Sequence, residues 1–197
     1  MNDEGVVSAL GLRVKSGWAT AVLLVGPARA PRVADRRTIA LSDPAVPASR
    51  QPYHAVMGAR PREAKTLEAR LCRLVERVAR KSLGELLAEY RAAGHAVRRV
   101  ALVVGSDIDP AKIANDHIRA HALEGRLFRT ALERAARARR LPCSVVVERT
   151  VYRGAASALR RPASRLKRTV TDLGRPIAGP WRADEKTATL AAWMALR

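Results

Sequence analysis

The apolar residues of this chain fall into short runs typical of strands and longer stretches with helical spacing. Three short runs rich in β-branched side chains come first, over residues 6–14, 18–26 and 32–41. The first two are joined by the turn-like sequence Lys15-Ser16-Gly17, which predicts a hairpin. The third is more polar, as expected of a strand near a sheet edge. Two later runs, residues 96–105 and 143–147, predict further strands, and the first of these is apolar enough for a central position.

Helical spacing of apolar residues is clearest over residues 62–92, where leucines and valines recur between charged side chains. Gly94 follows this stretch as a C-terminal cap. Residues 118–140 and 184–196 predict two more helices. Residues 152–182 are basic and interrupted by proline and glycine. We expect them to form an irregular arm or connection. The alternative to a mobile arm is a helix whose charged face stays in solvent.

Three strands followed by alternating helices and strands predict one α/β domain over residues 1–197. Because helices connect the later strands, the last two strands should be parallel. We therefore expect a mixed five-stranded sheet with three leading antiparallel strands, two parallel strands and helices on both faces.

The composition indicates a folded and strongly basic protein. Hydrophobic residues make up 48% of the chain and aromatic residues only 4%. The formal net charge is +19, from 37 basic and 18 acidic residues. This excess favours DNA or RNA as partner, because contacts with phosphates release counterions. A basic protein without a polyanionic partner and a protein bound to an anionic membrane surface are the alternatives.

The sequence also predicts a cytoplasmic location. Cys72 and Cys143 are far apart and belong to no CxxC motif, so we expect two reduced core residues. The first residues are acidic where a signal peptide would be basic, and Arg13 and Lys15 interrupt the apolar stretch that follows. No apolar segment reaches the length of a membrane span.

Polar side chains that could bind a metal or take part in catalysis are concentrated after the strand at residues 96–105. Asp107 follows this strand, and the next helix carries His117, His121 and Glu124 at spacings of four and three residues. These spacings put the three side chains on one helical face, within reach of one metal ion. In the alternative interpretation they bond to the backbone or to each other, and Asn115 or Asp116 caps the helix.

Other charged groups can likewise be interpreted either as structural or as functional. Asp184 and Glu185 open the last helix, either as capping groups or, for Asp184, as a functional carboxylate opposite Asp107. The basic side chains form either solvated faces or a surface for phosphates. The candidates for nucleic-acid binding are Arg13, Lys15, Arg119, Arg160, Arg161, Arg165, Lys167 and Arg168.

Three segments resemble the ribonuclease H-like superfamily, in particular its RuvC-like Holliday junction resolvase branch. Residues 10–17, LGLRVKSG, are similar to the first strand of that family, where a Gly-x-Asp-x-Gly pattern holds a catalytic carboxylate. Residues 100–107 are similar to the fourth strand, whose end supplies a second carboxylate. Residues 165–192, with TVTDLG and ADEKTATLAA, are similar to the closing segment, where an Ala-Asp-x-x-Asp-Ala helix start supplies the last carboxylates.

This resemblance implies a ribonuclease H-like fold, binding of branched or duplex nucleic acid, and two-metal hydrolysis of phosphodiesters with Mg²⁺ or Mn²⁺. It also allows a homodimer. The chain departs from the family pattern, since Arg13 stands at the first acid, Lys15 at the following glycine and Thr187 at the last acid.

We therefore expect a nucleic-acid-binding protein that lacks the standard two-metal nuclease site. One alternative is an active metal-dependent nuclease with a rebuilt site, and another is a basic protein that binds an acidic partner. A rebuilt site would use Asp107, Glu124, Asp184 and His121 as catalytic residues, and these four with His117 as metal ligands.

Overall fold

A single five-stranded sheet forms the centre of the protein, which is known from a computed structural model that describes residues 7–197. The strand order is β3-β2-β1-β4-β5. The strands are β1 Ser8–Lys15, β2 Trp18–Val25, β3 Arg32–Ala40, β4 Val97–Val104 and β5 Cys143–Val147. Residue 6, with which the first predicted strand begins, lies outside the described residues.

The pairing of the strands confirms the predicted mixed sheet. β2 is antiparallel to both β1 and β3, whereas β4 is parallel to β1 and to β5. The turn between β1 and β2 requires glycine, because Gly17 has a φ of 88°. Its carbonyl accepts the backbone N–H groups of Leu41, at 2.8 Å, and Ser42, at 3.1 Å. The hairpin turn is therefore tied to the end of β3.

Helices cover both faces of the sheet. The long helices α1, Pro61–Ala92, and α2, Asp116–Arg137, pack on one face, where Leu12, Leu83 and Phe128 are fully buried. The helices α3, Val151–Leu159, α4, Ala163–Leu173, and α5, Ala183–Ala195, pack on the other face, around Leu24 and Trp193. Successive residues of β1 and β2 contribute to opposite cores, as the alternation of side chains along a strand requires.

The helix α5 lies unusually close to β1. A Cβ atom at Gly11 would stand 1.9 Å from the carbonyl oxygen of Ala188 in α5. Only glycine permits this approach. The start of α5 lies beside the end of β1, where Asp184 pairs with Arg13 and Lys15.

The segment 152–182, for which we expected either an irregular arm or a helix with its charged face in solvent, contains most of α3 and all of α4. In α4, Leu166 and Val170 are spaced by four residues and buried, while Arg165, Lys167 and Arg168 are exposed. Pro162 stands directly before α4 and Gly174 directly after it, so these residues bound the helix instead of interrupting it. Within residues 7–197, no helix combines the length and apolar character that a membrane span requires.

Candidate functional site

The strands β1, β3, β4 and β5 all run in the same direction, so their carboxyl ends lie at one edge of the sheet. We call this edge, formed by Lys15, Ala40, Val104 and Val147, the carboxyl edge. Ligands of open α/β sheets bind at such edges. Most of the candidate residues from the sequence lie around it.

Arg13 lies near the end of β1 and is only 3% exposed. One guanidinium nitrogen, Nη1, donates to the carbonyl of Val14 at 2.7 Å, and Nη2 pairs with the carboxylate of Glu148, directly after β5. Its Nε lies 3.7 Å from Oδ1 of Asp184 in α5. The ammonium of Lys15 lies 3.2 Å from the same oxygen. Arg13 therefore joins three elements at the carboxyl edge, and two basic groups neutralise Asp184.

The residues that open α5 have separate roles. The carboxylate of Glu185 accepts the backbone N–H of Arg182 at 2.8 Å and so caps the helix. Thr187, at the position of the last family acid, is buried and donates its hydroxyl to the carbonyl of Asp184 at 3.1 Å.

Asp107 takes part in a different ion-pair network. It lies in the exposed loop after β4 and pairs with Arg129 of α2, whose Nε is also 3.9 Å from Glu133. A cleft of about 190 Å³, lined by Arg13, Lys15 and Phe128, runs between β1, β4 and α2. A second cleft of about 300 Å³ is lined by Asp107 and Arg129 among others. The structure thus holds Asp107 and Asp184 in two different ion-pair networks.

Three histidines, His54, His117 and His121, lie close together next to the buried carboxylate of Glu124. We call these four residues the histidine cluster. The Nε2 atoms of His117 and His121, one turn apart on α2, are 3.2 Å apart. His54 comes from the long connection between β3 and α1, and its Nδ1 lies 2.8 Å from Oε1 of Glu124. One ring nitrogen of each histidine lies within 4.8 Å of the other two.

Glu124 is 0% exposed and forms the buried side of this cluster. Its Oε1 also faces the backbone N–H of His54 at 3.4 Å, and its Oε2 lies 3.7 Å from Nδ1 of His121. Tyr53 anchors the same connection by contacting Cys72 of α1, with 3.8 Å between the hydroxyl and the sulfur. Burial raises the pKa of Tyr53 above its ordinary value, so this hydroxyl stays neutral.

The start of α2 uses other groups for capping. The side chain of Asn115 accepts the backbone N–H of Ile118 at 3.0 Å. Asp116 pairs with Arg119, which also donates to the carbonyl of Ile113 at 3.1 Å. The histidines therefore take no part in capping the helix.

The basic candidates divide into two groups. Arg13, Lys15 and Arg119 are all in ion pairs close to the carboxyl edge. Arg161 donates to the carbonyl of Arg29 at 3.2 Å, in the turn between β2 and β3, so it lies at the opposite end of the sheet. The other basic candidates around Arg161 in the sequence, which are exposed, are Arg160, Arg165, Lys167 and Arg168.

Sequence reasoning missed His54 and Glu148. His54 stands alone in an irregular connection, where no periodicity relates it to α2. Glu148 gave one weak signal, since it directly follows a predicted strand.

No family model and no curated protein sequence matches the chain. Solved structures do: T. thermophilus RuvC in complex with a Holliday junction substrate is 12% identical, with 96% of this chain and 93% of that chain covered and a TM-score of 0.55. A structure of Thermus thermophilus RuvC alone is also 12% identical, with 96% and 94% covered and a TM-score of 0.54. The yeast mitochondrial Holliday junction resolvase is 12% identical, with 97% and 80% covered and a TM-score of 0.47. The chain therefore has the RuvC-like, ribonuclease H-like fold that the resemblance of its sequence implied.

Proposed function

We propose that this protein binds structured DNA or RNA on its RuvC-like scaffold without standard two-metal hydrolysis. The observation that carries the proposal is the buried guanidinium of Arg13, enclosed between Asp184 and Glu148 at the carboxyl edge.

Two-metal hydrolysis needs several carboxylates that share a pair of cations. Here Arg13 and Lys15 already compensate Asp184, and Arg13 also compensates Glu148. A unit positive charge about 4 Å from a fixed guanidinium is repelled by about 4 kcal/mol at an effective dielectric constant of about 20. A dication would be repelled more strongly still. Asp107 does not offset this repulsion, because it pairs with Arg129.

The charge of the molecule supports binding of a polyanion. The net charge is +19, and the exposed side of α4 presents Arg165, Lys167 and Arg168. Arginine offers phosphate oxygens a planar fork of donors. Because one T. thermophilus RuvC structure contains a Holliday junction substrate, a four-way DNA junction is the first ligand to test.

Fluorescence anisotropy with a four-way junction, a duplex and a single strand of equal length tests the proposal. We expect binding of the junction and the duplex in the presence of EDTA, with an affinity that falls steeply between about 50 and 200 mM salt. An affinity that stays flat over this range would contradict the proposal. Binding of polyglutamate without binding of nucleic acid would instead favour an acidic protein partner.

A charge-matched pair of variants tests the surface. Replacing Arg165, Lys167 and Arg168 together by alanine should weaken binding and reduce the salt slope by about one for each phosphate that is no longer neutralised. The control replaces the exposed residues Arg70, Arg73 and Arg77 of α1, which removes the same charge from the other face of the sheet. Equal reductions of affinity in the two variants would mean that α4 is not a specific binding surface.

The alternative function, a metal-dependent nuclease with a rebuilt site, is favoured by the histidine cluster next to the carboxyl edge. Incubation of branched DNA and RNA with Mg²⁺, Mn²⁺ or Zn²⁺ distinguishes the two functions. The binding proposal expects intact substrate. Cleavage that requires a metal and disappears in Asp107→Asn, or in His121→Ala, would establish the alternative.

A further inference from the structure

We infer that His54, His117 and His121 bind one divalent transition metal ion of the zinc class, and that Glu124 orients their rings. This inference does not depend on the proposed binding of nucleic acid.

The spacing of the ring nitrogens fits such an ion. Zinc is bound by histidine nitrogens at about 2.0–2.1 Å, which puts two ligands of a tetrahedral site about 3.3 Å apart. The Nε2 atoms of His117 and His121 are 3.2 Å apart. One ring nitrogen from each of the three histidines lies within 4.8 Å of the other two, so His54 is placed to supply a third ligand.

Glu124 is placed as metal-binding sites place the carboxylates that support their histidines. Its two oxygens face Nδ1 of His54, at 2.8 Å, and Nδ1 of His121, at 3.7 Å. Each Nε2 atom is then left with its lone pair for a metal. Among residues 7–197, the buried Nε2 of His54 has no hydrogen-bond partner, and neither has Oε2 of Glu124.

The charge of the site points to a cation. Within residues 7–197, the ion pairs of the fully buried Glu124 are both with histidines. A buried carboxylate without a compensating cation is unfavourable, and a metal held by the same histidines supplies the missing charge.

The ligand set also indicates the class of metal. Imidazole groups suit zinc, copper, nickel and iron, whereas Mg²⁺ and Ca²⁺ prefer oxygen ligands. His117 and His121 are exposed, so a fourth coordination position faces solvent. Three protein ligands with an open position are typical of zinc sites that bind a further small ligand.

The test measures binding of Zn²⁺ and Co²⁺ to the full chain after removal of any affinity tag, by equilibrium dialysis with elemental analysis and by Co²⁺ absorbance. We expect one ion per chain, an increase in melting temperature with Zn²⁺, and no displacement by excess Mg²⁺. His54→Ala and His117→Ala should each weaken binding by at least about 10-fold, and Glu124→Gln by about 10- to 100-fold.

The fourth histidine provides the matched control. His95 lies between α1 and β4, outside the histidine cluster, so His95→Ala should bind Zn²⁺ like the unaltered chain. Circular dichroism melts without metal verify that each variant is folded. Equal binding by His117→Ala and the unaltered chain, equal reductions in His117→Ala and His95→Ala, or displacement of Zn²⁺ by Mg²⁺ would overturn the inference.

Discussion

Arg13 is the residue that links the most elements at the carboxyl edge through its side chain. Its side chain is enclosed at the end of β1, where Val14, Glu148 and Asp184 supply its partners. In the proposed function, this guanidinium engages Glu148 and Asp184 in ion pairs, so that neither carboxylate is left to share a cation.

Arg13→Ala should destabilise the protein by about 1–3 kcal/mol, because it leaves a cavity and two carboxylates without their shared partner. Glu148 and Asp184 are partly exposed and regain water, which keeps the destabilisation moderate. Urea unfolding measures the difference. The control, Lys15→Ala, removes a more exposed partner of Asp184 and should cost less than about 1 kcal/mol. Equal unfolding midpoints for Arg13→Ala and the unaltered chain would contradict the structural role of Arg13.

Asp35 predicts a pH dependence of stability. Burial alone would raise its pKa, but hydrogen bonds from Arg37 and Tyr90 outweigh burial and hold the pKa below its ordinary value of 3.8. Its stabilising contribution is therefore complete above this ordinary value and is lost as the pH falls through the lower pKa of the folded state. We expect the stability difference between the unaltered chain and Asp35→Asn to shrink from pH 6 towards pH 3 in urea unfolding. A difference that stays constant with pH would contradict this assignment.

At the scale of elements, the contact between β1 and α5 sets the geometry of the carboxyl edge. Gly11→Ala would place a Cβ atom 1.9 Å from the backbone of Ala188, and α5 would have to move. We expect a destabilisation of about 1–3 kcal/mol or more from this overpacking. Gly125→Ala in α2, where a Cβ atom meets nothing within 4 Å, is the control and should be neutral or stabilising. Similar unfolding midpoints for the two variants would show that α5 adapts freely.

The elements also show what the sequence could reveal. The five strands and the helices α1, α2 and α5 could be predicted, the strands from short apolar runs and the helices from the spacing of their apolar residues. The helices α3 and α4 could not be delimited, since each is short and their apolar positions stand among glycine, proline and arginine. The shared face of His117, His121 and Glu124 followed from helical spacing. The position of His54 did not, because only the tertiary fold brings its connection to α2.

At the scale of the whole molecule, the net charge of +19 creates repulsion between like charges that opposes the compact state. Screening shortens the range of this repulsion to about 10 Å at 0.1 M salt. We therefore expect the melting temperature to rise between about 20 and 300 mM NaCl, while affinity for nucleic acid falls over the same range. A melting temperature that falls with salt would mean that the ion pairs outweigh the repulsion.

The contact between His54 and Glu124 also bears on the susceptibility of the chain to proteases. It spans 70 residues of sequence and fastens the connection that carries the exposed residue Arg50. Trypsin cleaves at such residues only when the surrounding backbone opens locally. Glu124→Gln, and more strongly His54→Ala, should therefore speed cleavage in this connection while cleavage elsewhere is unchanged. The rate of cleavage after Arg50 would then report how firmly a single buried carboxylate holds a distant part of the chain.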